Sequence, residues 1–95
     1  MKYEFNLDQT VVAGPRQTSC TIDEEAVLLH LDKGIYYGLN PVGARIWELL
    51  REPKKVRDVR DAIVSEYDVT SEQCESDLKA LLGDLAEHGL IEVRD

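Results

Sequence analysis

Four side chains in this sequence could serve nucleophilic, acid–base or metal chemistry by type: Cys20, Cys74, His30 and His88. Spacing argues against each use. The two cysteines are far apart and match no metal-ligand pattern, so the expected metal count is none. The histidines fall on different predicted elements, and neither has an acidic orienter or a nucleophile near in sequence, as a triad would need. Asp23-Glu24-Glu25 resembles a carboxylate pair, but it sits between two strand-like runs and reads as a solvated hairpin tip. There is no P-loop and no GxGxxG; Gly34 and Gly38 are turn and strand features, not a phosphate cradle. The expectation is a protein that is not an enzyme and holds no cofactor.

Charge narrows the partners. Eleven Lys and Arg stand against nineteen Asp and Glu, a net charge of −8 over 95 residues. That balance repels phosphate backbones and anionic lipid, so neither nucleic acid nor membrane is expected as a partner. No apolar run approaches the roughly 20 residues that span a bilayer. Two cysteines without a signal-peptide pattern read as reduced thiols in a cytoplasmic protein. The charge is uneven. Arg51, Lys54, Lys55, Arg57 and Arg60 crowd one stretch, which reads as a solvated loop and helix start or, alternatively, as a face for an acidic partner enzyme. Glu72, Glu75, Asp77, Asp84 and Glu87 crowd another, against Lys79 alone.

The elements that must position these residues follow from periodicity. Met1–Asp8 is too brief and mixed to assign beyond an edge strand or a frayed end, and Thr10–Ala13 has strand chemistry closed by Gly14-Pro15. Thr18–Ile22 alternates with period two, and Ala26–Leu31 returns as the most apolar strand. Asp32-Lys33-Gly34 then turns the chain into Ile35–Leu39. Asn40 and Pro41 are an N-cap and a first helical residue, and the period changes to 3.6 through Val42, Ile46, Leu49 and Leu50. Glu52-Pro53 stops that helix. A second helix from about Lys55 shows Val56, Val59, Ile63 and Tyr67 on one face. Thr70 and Gln73 form a capping box for a third, striped with Cys74, Leu78, Leu81, Leu82 and Leu85. Gly89 ends it, and Leu90–Val93 is a short extended tail.

A three-stranded antiparallel sheet followed by three helices is an α+β composition of the winged helix-turn-helix kind. Residues 1–17 read as an N-terminal arm or edge strand and 18–95 as one domain. Such a fold suggests a transcription regulator, but the third helix is acidic where a groove-reading helix needs bases. The other use of an open strand edge beside an amphipathic helix is to accept an extended peptide as an added strand.

Leu28-Leu29-His30-Leu31-Asp32, Gly34-Ile35-Tyr36-Tyr37-Gly38-Leu39-Asn40 and Val42-Gly43-Ala44-Arg45-Ile46-Trp47-Glu48-Leu49 together resemble the family of pyrroloquinoline quinone biosynthesis protein D. Tyr67-Asp68-Val69, Cys74-Glu75-Ser76-Asp77-Leu78 and Gly89-Leu90-Ile91 extend the resemblance across about Thr18 to Val93, and Met1–Gln17 carries none of it. What it implies is recognition of the leader of a ribosomally made precursor peptide. Within the family the Tyr-Tyr-Gly-Leu-Asn form is most similar to the free-standing proteins of lasso-peptide pathways. Their partners are the leader, with a Tyr-x-x-Pro motif, and a cysteine-protease-like leader peptidase or another modifying enzyme. The alternative inside the family is a peptide chaperone for a radical enzyme in quinone-cofactor biosynthesis. Carried over residue by residue, the peptide-binding site would comprise Ile35, Tyr36, Tyr37, Gly38 and Leu39 on the strand. Cys74, Asp77, Leu78, Leu81 and Leu85 would face them from the helix. Trp47 is expected in the core.

Overall fold

The structure, a computed structural model, describes residues 5–94. Nine elements follow in order: β1 (Thr10–Ala13), β2 (Gln17–Ile22), β3 (Glu25–His30), β4 (Ile35–Leu39), α1 (Pro41–Leu49), β5 (Lys54–Lys55), α2 (Val56–Glu66), α3 (Ser71–Glu87) and β6 (Ile91–Arg94). The expected meander is present: β2, β3 and β4 form an antiparallel sheet in that order, with β4 at one edge. The turn into β3 is tighter than the three acids suggested. Asp23 takes positive φ, 57°, and Glu25 already pairs with Ile22.

The expected single sheet is corrected by a second one. β1 lies between β5 and β6 and pairs antiparallel with both, Val11 opposite Lys54 on one side and Val93 on the other. Val11 is wholly buried, and the Gly14 amide donates to the Leu90 carbonyl at 2.9 Å. The chain is thus closed by joining its two ends. The mixed α+β class and the three helices are as expected; the sheet count is not. Of the Met1–Asp8 reading, positions 1–4 lie outside the described residues, as does position 95.

The helix signals act as chemistry dictates. Asn40 Oδ1 accepts from the Gly43 amide at 2.8 Å, and Thr70 Oγ1 from the Gln73 amide at 3.2 Å. At the end of α3 the Gly89 amide donates to the Ala86 carbonyl and that of Leu90 to Leu85, with Gly89 at φ 72°. That is a Schellman cap, which needs a left-handed residue at Gly89. A Cβ there would also sit 3.2 Å from His30 Nε2. His30 itself is buried, its Nδ1 accepting from the Lys33 amide at 3.3 Å.

One apolar core joins the layers: Leu28 from β3, Ile46 and Trp47 from α1, Val59 and Ile63 from α2, and Leu78, Leu82 and Leu85 from α3. Ion pairs brace the helices outside it. Arg45 on α1 donates to both oxygens of Glu66 on α2, and Arg60 on α2 reaches Glu75 on α3, which also holds Lys79. Among the described residues no helix is long and apolar enough to cross a membrane.

Two predictions follow from this packing. Trp47 is 4% exposed, as expected of a core ring; truncating a buried aromatic costs roughly 3–5 kcal/mol, so Trp47→Ala should lower the melting temperature severely or unfold the chain. The second concerns acid. Arg45 holds the Glu66 carboxyl below the ordinary glutamate range, and Lys79, then Arg60, do the same for Glu75. A depressed folded-state pKa contributes stability above the unfolded value of about 4.3 and loses it as pH falls through the folded one. A Glu66→Gln/Glu75→Gln double variant should therefore lose less melting temperature than the parent between neutral pH and about pH 3.

A candidate peptide-binding cleft

No loop separates β4 from α1: Leu39 ends the strand, Asn40 caps the helix and Pro41 begins it. The first turn of α1 must therefore flank the strand. Gly43 makes this close approach possible, since a Cβ at that position would stand 3.3 Å from the Leu39 side chain and from Asn40 Oδ1. On the other side the short Tyr67–Thr70 connection brings the start of α3 alongside. Between these walls lies a cleft of about 630 Å³.

Its walls are mostly apolar. Leu39, Val42, Ile46, Ile63, Val69, Leu78 and Leu81 supply the aliphatic surface, with Cys74 among them. Leu39, Ile46, Ile63 and Leu78 are core residues that show only an edge to the cleft, whereas Val42, Val69 and Leu81 are half-buried. Gly38 adds a stretch of bare backbone, and no atom lies within 4 Å of where its Cβ would be. β4 pairs with β3 alone, so its outer backbone edge carries no strand among the described residues. An open edge beside an apolar cleft is the geometry of strand addition.

Tyr37 marks one end. Its ring is half-buried and meets His88 edge-on at 5.5 Å between centroids, and its hydroxyl donates to Asp84 Oδ2 at 3.3 Å. Burial chiefly, and the Asp84 charge after it, hold the phenol above its usual pKa, so it stays a neutral donor. Asp77 stands on the α3 side, its Oδ1 accepting from Gln73 Nε2 at 2.9 Å, and Asp68 on the connection. The Cys74 thiol is buried and lies 3.8 Å from the Arg60 carbonyl. Burial, and then the charge of Asp77, push it upward, so it stays a neutral thiol and not a nucleophile.

Of the ten residues expected to bind peptide, the fold brings six into the cleft lining together with Leu81: Tyr37, Gly38, Leu39, Cys74, Asp77 and Leu78. The other three lie elsewhere. Tyr36 is 71% exposed on the outer face of its sheet, where it pairs with Leu29. Ile35 starts the strand beyond the cleft, and Leu85 is wholly in the core. Sequence reasoning missed the cleft's third side: Val42, Gly43 and Ile46 of α1, and Tyr67, Asp68 and Val69 before α3. The signal was available. A strand that runs straight into a capped helix must have that helix as a neighbour.

Comparison with known proteins bears on this geometry. Residues 25–91 match the family model described as Coenzyme PQQ synthesis protein D (PqqD). TbiB1, solved in complex with the TbiA(beta) leader peptide, superposes with a TM-score of 0.80 at 44% identity, over 85% of this chain and 94% of that one. A lasso peptide synthetase B1, solved with its leader peptide, gives 0.76 at 30% identity, over 86% and 96%. No curated protein matches. With the family model spanning β3 through α3 to the first residue of β6, and these two solved relatives covered almost end to end, the chain belongs to the PqqD family.

Proposed function

We infer that this chain is a non-catalytic leader-recognition protein of lasso-peptide biosynthesis. It binds the leader of a precursor peptide as an added strand along β4. The observation that carries this is the open edge of β4 on an apolar cleft, in a chain 44% identical to a protein solved with a leader peptide. The leader runs between β4 and α3 and seats apolar side chains against Val42, Val69 and Leu81. Tyr37, Gly38 and Leu39 supply the strand wall, and Cys74, Asp77, Leu78 and Leu81 the helix wall. The likeness to a lasso peptide synthetase B1 solved with the leader peptide weighs against the quinone-pathway chaperone.

The β2–β4 sheet with α2 and α3 on their short turn is the winged helix-turn-helix arrangement, used here for peptide and not for DNA. α3 carries Glu72, Glu75, Asp77, Asp84 and Glu87, and each acid facing a phosphate would cost affinity. Catalysis has no machinery among the residues of the cleft. The bound leader is presented to a separate peptidase, and the whole acts in the cytoplasm, where both thiols stay reduced.

Two measurements test this. Fluorescence polarisation of labelled TbiA(beta) leader should show saturable binding. An unpaired carboxylate placed on an apolar wall costs on the order of 2 kcal/mol, so Leu81→Glu should weaken binding by roughly tenfold or more. Circular dichroism checks that the variant is folded; a folded Leu81→Glu that binds as the parent does would put the groove elsewhere. In the second, a thiol reagent near neutral pH should modify exposed Cys20 quickly and buried Cys74 only on unfolding. Bound leader, which covers Cys74 further, should slow the second reaction again.

A further inference from the structure

Among the described residues the cleft is lined by two carboxylates, Asp68 and Asp77, and by no Lys, Arg or His. Neither acid takes part in an ion pair among the described residues, although most nearby acids do. Glu66 is held by Arg45, Glu75 by Arg60 and Lys79, and Asp61 by Arg60. Arg45, Arg60 and Lys79 are therefore spent on other partners, and the two acids at the cleft have no basic partner among the described residues. Asp84 continues the series beyond them, seven residues after Asp77 on α3 and so about 10 Å further along the same face. Among the described residues its carboxylate is engaged by the neutral hydroxyl of Tyr37 alone.

Two uncompensated carboxylates beside an apolar wall have a defined complement. A segment that enters loses water from its backbone and its anchoring side chains, and the low-dielectric wall strengthens the field of the acids over it. An acidic side chain brought to that rim is repelled, a neutral one is indifferent, and a lysine or arginine is attracted. Neither carboxylate braces the fold through an ion pair, so their charge is free for selection.

We propose that Asp68 and Asp77 are specificity-determining residues that make the cleft select an extended peptide carrying a Lys or Arg beside its apolar anchors. This rests on the strand-addition reading above and deepens it. It names the class of leader preferred: basic and apolar together, over an equally apolar acidic segment.

The test uses the full chain and short synthetic peptides that share one apolar Tyr-x-x-Pro host sequence. A lysine is walked through every other position, with glutamine and glutamate series in parallel, and binding is read by fluorescence polarisation at low and high salt. At one or more positions lysine should bind roughly three- to tenfold tighter than glutamine at low salt, and glutamate correspondingly weaker; the difference should shrink at about 0.5 M salt. Asp68→Asn/Asp77→Asn should erase most of that preference, read as the ratio of lysine to glutamine binding within that variant. Asp23→Asn/Glu24→Gln removes the same charge at the β2–β3 turn and should leave the preference in place. If the turn variant erases it equally, the selectivity belongs to the net charge and the proposal fails. A flat lysine walk with TbiA(beta) leader still bound overturns this inference and leaves the groove standing. No binding by any peptide, including that leader, overturns both.

Discussion

Asn40 is the residue on which the arrangement turns. It ends β4 and caps α1, with its side-chain oxygen on the Gly43 amide and its carbonyl accepting from the Ala44 amide at 2.7 Å. Because one residue does both, the strand edge and the helix cannot separate, and the angle between them is fixed by backbone chemistry and not by packing alone. Pro41 stiffens the first helical position, and Gly43 lets the helix lie against Leu39 without a Cβ in the way. The cleft exists because this corner holds α1 on one side of β4 while the α2–α3 connection holds α3 across from it.

The corner is local, and local features were legible. Turn glycines, caps and periodicity place β2, β3, β4 and all three helices close to where they fold, and the Schellman cap at Gly89 follows from one glycine after a leucine stripe. What could not be read is closure. β5 is two residues long, too short for any pattern, and β1 and β6 lie near opposite ends of the sequence. Each has strand chemistry, but nothing local says that Ala13 meets Ile91 or that the Ala13 amide donates to the Leu50 carbonyl at 2.7 Å. The candidate site divides in the same way. Alternation and a helical stripe name the two long walls, but they cannot tell Leu81, which edges the cleft, from Leu85, which is sealed in the core. Both are leucines of one stripe, four residues apart, and their difference is set by what packs above them.

An open strand edge is ordinarily a hazard, since it templates pairing with any extended chain, its own copies included. Here the hazard is contained by what stands beside the edge. β4 is only five residues long, and α1 and α3 recess part of it so that an added strand must enter between them. Such a strand must also carry side chains that suit an apolar wall. At −8 per chain, two copies also repel. The acidity of α3 thus has a positive use in a peptide-binding fold. It opposes pairing between two copies and leaves the edge open to a segment of complementary shape. Affinity can then come from backbone pairing, which is blind to sequence, while selectivity comes from the walls, where a few side chains decide which strand is admitted.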